Sequence, residues 1–214
     1  MLQTHALKDF FAVNADIFIR TMCLIFVFSF FTSKSAGIDA ITLAANQILL
    51  QYFHLMAYGV DGFAFAGESL TGRFVGEKNP TALRHAIYKL LYFSLGLGFL
   101  FAITYLFLGP QLLFLFTDQQ AIITIAEEYL LWMSGISITG ALAFIWDGIY
   151  IGATATRPMR NSMLVSTFIG FLAAYYLTLE WGNHGLWFSM LVFMISRGLL
   201  LSSLAGKKIF SQGA

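Results

Sequence analysis

The residues best suited to chemistry lie between positions 46 and 68, where mostly polar side chains recur at alternating steps of four and three. This spacing places them on one face of an α-helix. The flanking residues are apolar, and polar groups at bilayer depth usually face a bundle interior or a water-filled path. The pattern therefore predicts that something polar moves along this helix or binds against it. This polar stripe consists of Gln47, Gln51, His54, Tyr58, Asp61, Phe65 and Glu68.

Two carboxylates of the polar stripe, Asp61 and Glu68, are seven residues apart, which is two turns along the same face. Two acidic groups on one face suit the binding and release of protons. Glu68 is also close to Arg73 and would equally suit a position at the membrane boundary. A lone histidine such as His54 is more often a packing residue than a ligand. Because no paired cysteines or HExxH motif accompany it, the sequence predicts no metal site.

Further charges occur within other apolar segments. Asp16 and Arg20 are four residues apart, so we predict an ion pair along one helix, with a cavity-facing site as the alternative. Asp147 and Arg197 are secondary site candidates, and Arg197 either extends toward the membrane surface or pairs with Asp147. No nucleophile elbow, P-loop or dinucleotide fingerprint is present, so we predict no catalytic residue.

The composition indicates an all-α polytopic membrane protein. Of the 214 residues, 58% are hydrophobic and only 11% are charged, against about 25% charged in soluble domains. The net charge of +1 gives no reason to expect a nucleic-acid partner. A bilayer span needs about 20 apolar residues, and six runs qualify, so we predict a single lobe over 1–214. The runs are 10–32, 42–72, 86–108, 120–151, 161–179 and 185–206.

Basic residues cluster on one side of this predicted topology. With six spans, eight basic residues lie near the chain ends or in loops on one side of the membrane, whereas the loops on the other side contain only Lys34. The positive-inside rule then places both termini in the cytoplasm, in a multi-pass protein of the inner membrane. The eight residues are Lys8, Arg73, Lys78, Arg84, Arg157, Arg160, Lys207 and Lys208.

Three separated motifs also carry a resemblance to a known family. They are NADIFIRT at 14–21, the 44–76 segment with AANQILLQ, DGFA and ESLTGRFVG, and the 147–163 segment with DG, GAT and MRNSM. In this order they resemble the seventh, eighth and tenth helices of multidrug and toxic compound extrusion (MATE) transporters, most closely the DinF-like branch. The resemblance covers nearly the whole chain, but only the second of the family's two six-helix lobes.

The resemblance implies a lobe of an antiporter that exports amphipathic, often cationic compounds in exchange for protons or sodium ions, without another cofactor. It also implies a missing N-terminal lobe or a second copy as partner. In the DinF-like branch the coupling carboxylate lies on the family's first helix, which the matched lobe does not include. In the NorM-type branch a cation-site carboxylate lies on helix ten, but this sequence has Gly140 near that position, so the motif predicts no such site here, and Asp147 is not its equivalent. Two alternatives are a non-transporting membrane fragment or partner subunit, and an intramembrane enzyme using His54, Asp61 and Glu68.

Overall fold

The computed structural model describes residues 4–210, and this part of the chain is helical with short turns and no β-strand. The all-α prediction is thereby confirmed. The ends of the predicted lobe, 1–3 and 211–214, lie outside the described residues, as does the Lys8 side chain. The α-helices are α1 (Thr4–Ala36), α2 (Ala40–Gly76), α3 (Pro80–Leu113), α4 (Gln120–Glu128), α5 (Leu130–Gly152), α6 (Thr156–Val165), α7 (Ala173–Leu177) and α8 (Asn183–Lys208).

Local sequence accounts for the starts of the two longest helices. The Asp39 carboxylate precedes α2 and accepts hydrogen bonds from the backbone N–H groups of Ile41 and Thr42. Asn79 precedes α3 and accepts from Ala82 N–H, and Pro80 occupies the first turn, where its missing N–H costs nothing. These caps fix where α2 and α3 begin.

The helices differ from the predicted runs mainly at their ends and at two breaks. The fourth run is divided at Tyr129 between α4 and α5. The fifth run is also divided, because a π-helical segment, Ser166–Leu172, joins α6 to α7, and a short 3-10 turn, Leu179–Trp181, precedes α8. The third predicted run, 86–108, ends too early, since α3 continues through Pro110 to Leu113.

Four helical stretches within the described residues are long and apolar enough to cross a membrane by composition alone. They are Phe10–Ala36, Pro80–Leu113, Leu130–Gly152 and Asn183–Lys208. The α2 helix is longer than any of them, but it carries the charged members of the polar stripe. The remaining predicted span is the one divided among α6, the π-helical segment and α7. These two predicted spans therefore differ from the other four, the α2 span by its charged residues and the fifth span by its division into three segments.

The central helix of the lobe is α5, which packs against α2, α3 and α8. Its contact with α2 is a backbone contact made possible by two glycines one turn apart. A Cβ atom on Gly148 would lie 2.2 Å from the carbonyl oxygen of Ala64, and one on Gly152 would lie 2.2 Å from that of Glu68. Small residues at this spacing let membrane helices approach closely. The α2–α5 contact therefore fixes the polar stripe relative to α5.

The helix ends that bear the predicted basic residues meet at one end of the lobe. One cavity is lined jointly by Phe10 at the start of α1, Arg157 at the start of α6 and Lys208 at the end of α8. Arg84, in the first turns of α3, lies over the ring of Phe210, just beyond α8, at 5.4 Å. The structure thus brings Arg84, Arg157 and Lys208 to the same end of the lobe, and we refer to this region as the basic end.

Candidate functional site

The polar stripe lies on a face of α2 that the rest of the described chain leaves open. Tyr58 and Phe65 are 73% and 68% exposed, and Gln51 is also exposed. The opposite face is buried in the lobe through residues such as Met56 and Val60. The remaining stripe members are half-buried at the edges of the open face: Gln47, His54, Asp61 and Glu68. The spacing thus predicted the shared face correctly.

Three charged side chains from three helices meet beside the polar stripe, and we call them the charge cluster. The Asp147 carboxylate on α5 accepts hydrogen bonds from Arg20 on α1 and from Arg197 on α8, the latter at 2.6 Å. Arg197 is only 1% exposed, and its guanidinium lies 5.3 Å from the ring centres of both Phe144 and Phe193. The charge cluster is therefore a buried site in which two aromatic rings pack against Arg197 and keep it beside Asp147.

The charge cluster has one more positive than negative charge, and the Asp61 carboxylate interacts with it electrostatically without forming an ion pair. The charge of Arg20 attracts the Asp61 carboxylate, and that of Asp147 repels it. Among the described residues, Asp61 has neither an ion-pair nor a hydrogen-bond partner, although it is half-buried. Asp61 is therefore an uncommitted carboxylate at the edge of the open face, available to a proton or a cation.

Asp16 and Arg20 do not form the predicted ion pair. The Asp16 carboxylate accepts hydrogen bonds from Arg160 at 2.6 Å and from the Thr156 hydroxyl at 2.9 Å, both on α6, while Arg20 binds Asp147. An exposed pair along one helix contributes only about 0.3–0.5 kcal/mol, whereas each residue here reaches a partner on a neighbouring helix and becomes largely buried. The alternative that Arg197 pairs with Asp147 is confirmed.

The other members of the polar stripe make few polar contacts with the described residues. His54 packs its ring near those of Phe28, Phe53 and Tyr58 at 5.8–6.3 Å, which fits a packing role. Gln47 donates a hydrogen bond to the Thr32 hydroxyl at 3.1 Å. Glu68 has no ion-pair partner among the described residues. Within residues 4–210 no group of three or more His, Cys, Asp or Glu side chains is placed to hold a metal ion.

Sequence reasoning missed a second buried polar group at the other end of the lobe, which we call the amide network. The Asn46 side chain donates to the Ser35 hydroxyl and to Asn183 at 2.7 Å each, and accepts from Asn183 and from the Trp187 indole N–H at 3.1 and 2.8 Å. Asn46 comes one residue before the stripe begins, so it is on a different face of α2. Its spacing carries no signal, because two of its three partners, Asn183 and Trp187, are over 130 residues away on α8.

Comparisons with known proteins agree with this architecture. The MatE family model matches residues 17–176. DNA damage-inducible protein F of Escherichia coli (strain K12) is 34% identical over 194 residues, which are 90% of this chain and 42% of that protein. Multidrug resistance protein NorM of Vibrio vulnificus (strain YJ016) is 23% identical over 206 residues, 93% of this chain and 44% of that protein. The chain thus spans less than half the length of these relatives.

A solved structure has the same fold. The MATE transporter VcmN of Vibrio cholerae in its bent form is 17% identical, with a TM-score of 0.88 over 99% of this chain and 49% of that one. Coverage of one half is consistent with the predicted C-terminal lobe. Members of the family are transporters and not enzymes, as the sequence predicted, so the intramembrane-enzyme alternative is set aside. With a family match over most of its length and the helical architecture of half a MATE transporter, the chain belongs to the MatE family of integral membrane transporters.

Proposed function

We propose that this chain is the C-terminal lobe of a multidrug antiporter that exports amphipathic, often cationic compounds in exchange for protons or sodium ions. The observation that carries the proposal is Asp61, a carboxylate without a partner among the described residues, on an open polar face beside the charge cluster. Polar and acidic groups at membrane depth are costly and are usually retained for function. Transport would proceed by alternating access, with this lobe moving against a second one.

Substrate contact follows from the exposed rings of the polar stripe. Tyr58 and Phe65 present most of their surface on the open face, within two turns of Asp61. Aromatic faces attract organic cations, and an apolar drug body gains from contact with the same rings. Gln51 on this face adds hydrogen-bonding groups. An amphipathic cation therefore meets an apolar surface, a carboxylate and a polar amide on one helix face.

Coupling follows from competition for the Asp61 carboxylate. While ionised, Asp61 balances the net positive charge of Arg20, Asp147 and Arg197. A proton, a sodium ion or a cationic substrate would each neutralise the same carboxylate, and one occupant disfavours another. Binding of the coupling ion on one side would thus release the drug, which is the exchange that an antiporter requires. The charge cluster itself offers no cation site of its own, because two guanidinium groups already flank Asp147.

Assembly with a second lobe is part of the proposal. The open face would otherwise place Gln51, Asp61 and Glu68 against lipid, at considerable cost. A separately encoded first lobe would cover it, and a second copy could do so in a pseudo-twofold arrangement. Co-purification of the tagged chain from inner membranes, with and without a first lobe supplied, tests this. A stable monomer in both mild detergent and lipid nanodiscs contradicts it.

The orientation belongs to the same proposal, with the basic end and both termini in the cytoplasm of the inner membrane. Ser33 and Thr81 are exposed at opposite ends of the lobe, on α1 and α3. In a Cys23→Ser background, Ser33→Cys should react with an impermeant thiol reagent applied to whole cells, and Thr81→Cys should react only after the membrane is opened. The reverse pattern would invert the orientation.

A second candidate is a membrane fragment or partner subunit that does not transport. The observation behind it is that the chain covers only 42–44% of the length of its relatives in Escherichia coli and Vibrio vulnificus. Sequencing the upstream DNA separates the candidates, because an intact frame for six more helices supports a split transporter and a damaged frame supports a remnant. The decisive assay is drug efflux in cells lacking their own pumps, with the chain expressed alone and together with a first lobe. Efflux in neither case, despite normal membrane expression, would refute the transport proposal.

A further inference from the structure

Two cavities lie in line along the contact between α1 and α6. The first, at the basic end, has a volume of about 680 Å³, and we call it the basic pocket. The second lies further along α1, against the end of α6 and the start of the π-helical segment, and has a volume of about 240 Å³; we call it the apolar groove. The residues that line the basic pocket include Val13, Asp16, Thr156, Arg157 and Lys208. The apolar groove is lined by Ile19, Met22, Cys23, Phe26, Leu164, Thr167 and Phe168.

The basic pocket has the charges to bind a phosphate group. Arg157 and Lys208 approach it from α6 and α8, and both are exposed, with no ion-pair partner among the described residues. The one carboxylate in its wall, Asp16, is already neutralised by Arg160 and the Thr156 hydroxyl. The first turn of α6 also borders the pocket without a side-chain cap, so its N–H groups add partial positive charge.

The apolar groove suits a hydrocarbon chain. Apart from the Thr167 hydroxyl, the groups that line it are aliphatic, aromatic or sulfur-containing, and Phe26 and Phe168 are 41% and 56% exposed at its edges. Val13 in the basic pocket and Met22 in the groove are nine residues apart on α1, which corresponds to about 14 Å along the helix. An occupant of both cavities must therefore be anionic at one end and apolar over a depth comparable to an acyl chain.

We propose that this contact between α1 and α6 is a binding site for an anionic phospholipid, with its phosphate in the basic pocket and an acyl chain in the apolar groove. Three helix ends of a membrane protein meet at the basic pocket, which places it at headgroup level, where clusters of basic residues recognise anionic lipids. Free phosphate would explain only the pocket, and a neutral apolar molecule only the groove. A phospholipid satisfies both features at the measured separation.

Native mass spectrometry of the full chain, released from detergent, tests the proposal. The probes are phosphatidylglycerol, phosphatidylcholine of the same chain length, and inorganic phosphate. We expect one phosphatidylglycerol to remain bound under activation that removes phosphatidylcholine. The Arg157→Gln/Lys208→Gln variant should weaken phosphatidylglycerol binding about thirtyfold, since each of the two basic groups near a membrane surface contributes about 1 kcal/mol and about 1.4 kcal/mol corresponds to tenfold. Arg84→Gln is the control, because Arg84 is a basic residue at the same end of the lobe but lines a different cavity.

A groove variant makes the test independent of charge. Phe168→Asp places a carboxylate at the edge of the apolar groove and should also weaken phosphatidylglycerol binding, while leaving the basic pocket intact. Circular dichroism confirms that each variant remains helical. Equal retention of the two lipids, or equal weakening by Arg84→Gln, would overturn the proposal in favour of nonspecific attraction. Displacement by millimolar inorganic phosphate, together with indifference to Phe168→Asp, would overturn it in favour of a free-phosphate site.

Discussion

The charge cluster and the amide network are both buried polar groups, but they satisfy their hydrogen bonds to different degrees. In the amide network, both polar side-chain atoms of Asn46 form hydrogen bonds, at distances of 2.7–3.1 Å. In the charge cluster, Asp147 Oδ1, Arg20 Nε and Arg197 Nε have no hydrogen-bond partner among the described residues. One region is neutral and complete, and the other is charged and incomplete.

This difference separates a structural role from a functional one. A complete network of neutral groups rigidifies a core and gains little from any rearrangement. An incomplete ionic cluster costs stability, and such sites are retained where a change of charge has a use. The amide network ties α1, α2 and α8 together at the end opposite the basic one, whereas the charge cluster borders the open face. We therefore regard the amide network as holding the fold together, and the proposed ion coupling would act at Asp61, beside the charge cluster.

The largest effect should come from Asp147→Ala, because it leaves the guanidinium groups of Arg20 and Arg197 facing each other without a counter-charge. Removing one partner from a buried ionic pair costs about 3–5 kcal/mol. Denaturant unfolding in detergent measures the loss. The Asp147→Asn/Arg197→Met double variant removes one charge of each sign, so its destabilisation should be smaller than the sum of the two single variants. Additive losses would show that the pair is not coupled.

A smaller loss is expected for Asn46→Ala, which removes the centre of the amide network. Asn183, the Trp187 indole N–H and the Ser35 hydroxyl each lose a partner, and a buried unsatisfied group costs about 1–3 kcal/mol. We expect about 2–3 kcal/mol in the same unfolding assay. Gln47→Ala is the control, since it removes one bond at a half-buried position. If Gln47→Ala lowered the free energy of unfolding as much as Asn46→Ala, the amide network would not be what holds α1, α2 and α8 together.

Asp61→Asn should change stability by less than about 1 kcal/mol, yet abolish coupled efflux. The amide keeps the shape and hydrogen-bonding capacity of the side chain but removes its charge. Drug efflux, with a first lobe supplied if needed, is measured together with membrane expression. Glu68→Gln, which removes a stripe carboxylate that is not paired with the charge cluster, serves as the matched control. A low folded yield would make Asp61 a structural counter-charge, and normal efflux at normal yield would exclude both roles.

The smallest effect concerns Asp39, the cap of α2 at the amide-network end. Hydrogen bonds from the Thr42 hydroxyl and backbone N–H, and from Ile41 N–H, hold the pKa of the Asp39 carboxyl below its ordinary value. Its contribution is complete above the unfolded pKa of about 3.9 and is lost as pH falls through the lower folded pKa. Asp39→Asn should therefore reduce the acid sensitivity of thermal unfolding. Asp118→Asn, at an exposed site without such bonds, should not.

The local pattern of α2 allowed much of this architecture to be predicted. Period and polarity identify the shared face of Gln51, Tyr58 and Asp61, because every member lies on one helix and needs no long-range information. The helix starts at Ala40 and Asn183 were predicted to within two residues, by the runs from 42 and 185, whereas the run from 86 begins six residues after Pro80. The grouping of basic residues at one end followed from alternation of spans, which is a property of chain order alone.

The ionic partners could not be predicted in the same way. Arg20 meets Asp147 across 127 positions, and Asp16 meets Arg160 across 144. Spacing favoured the neighbouring pair of Asp16 and Arg20, since four residues is the distance at which helical side chains meet. Tertiary packing overrides that preference, because α5 and α6 bring opposite charges to α1 at successive turns. The break at Tyr129 and the π-helical segment also follow from packing and leave no periodic signal.

The glycine contact between α2 and α5 has a mechanical consequence. With Gly148 and Gly152 pressed against the backbone of Ala64 and Glu68, the two helices cannot slide or roll past each other without separating. Asp61 and Asp147 are therefore expected to move together as part of one rigid helix pair. Arg20 is on the more exposed α1 helix and reaches Asp147 only through its long side chain. Any tilting of α2 and α5 together relative to α1 would change the distance that the Arg20 side chain must span, and with it the electric field at the two carboxylates.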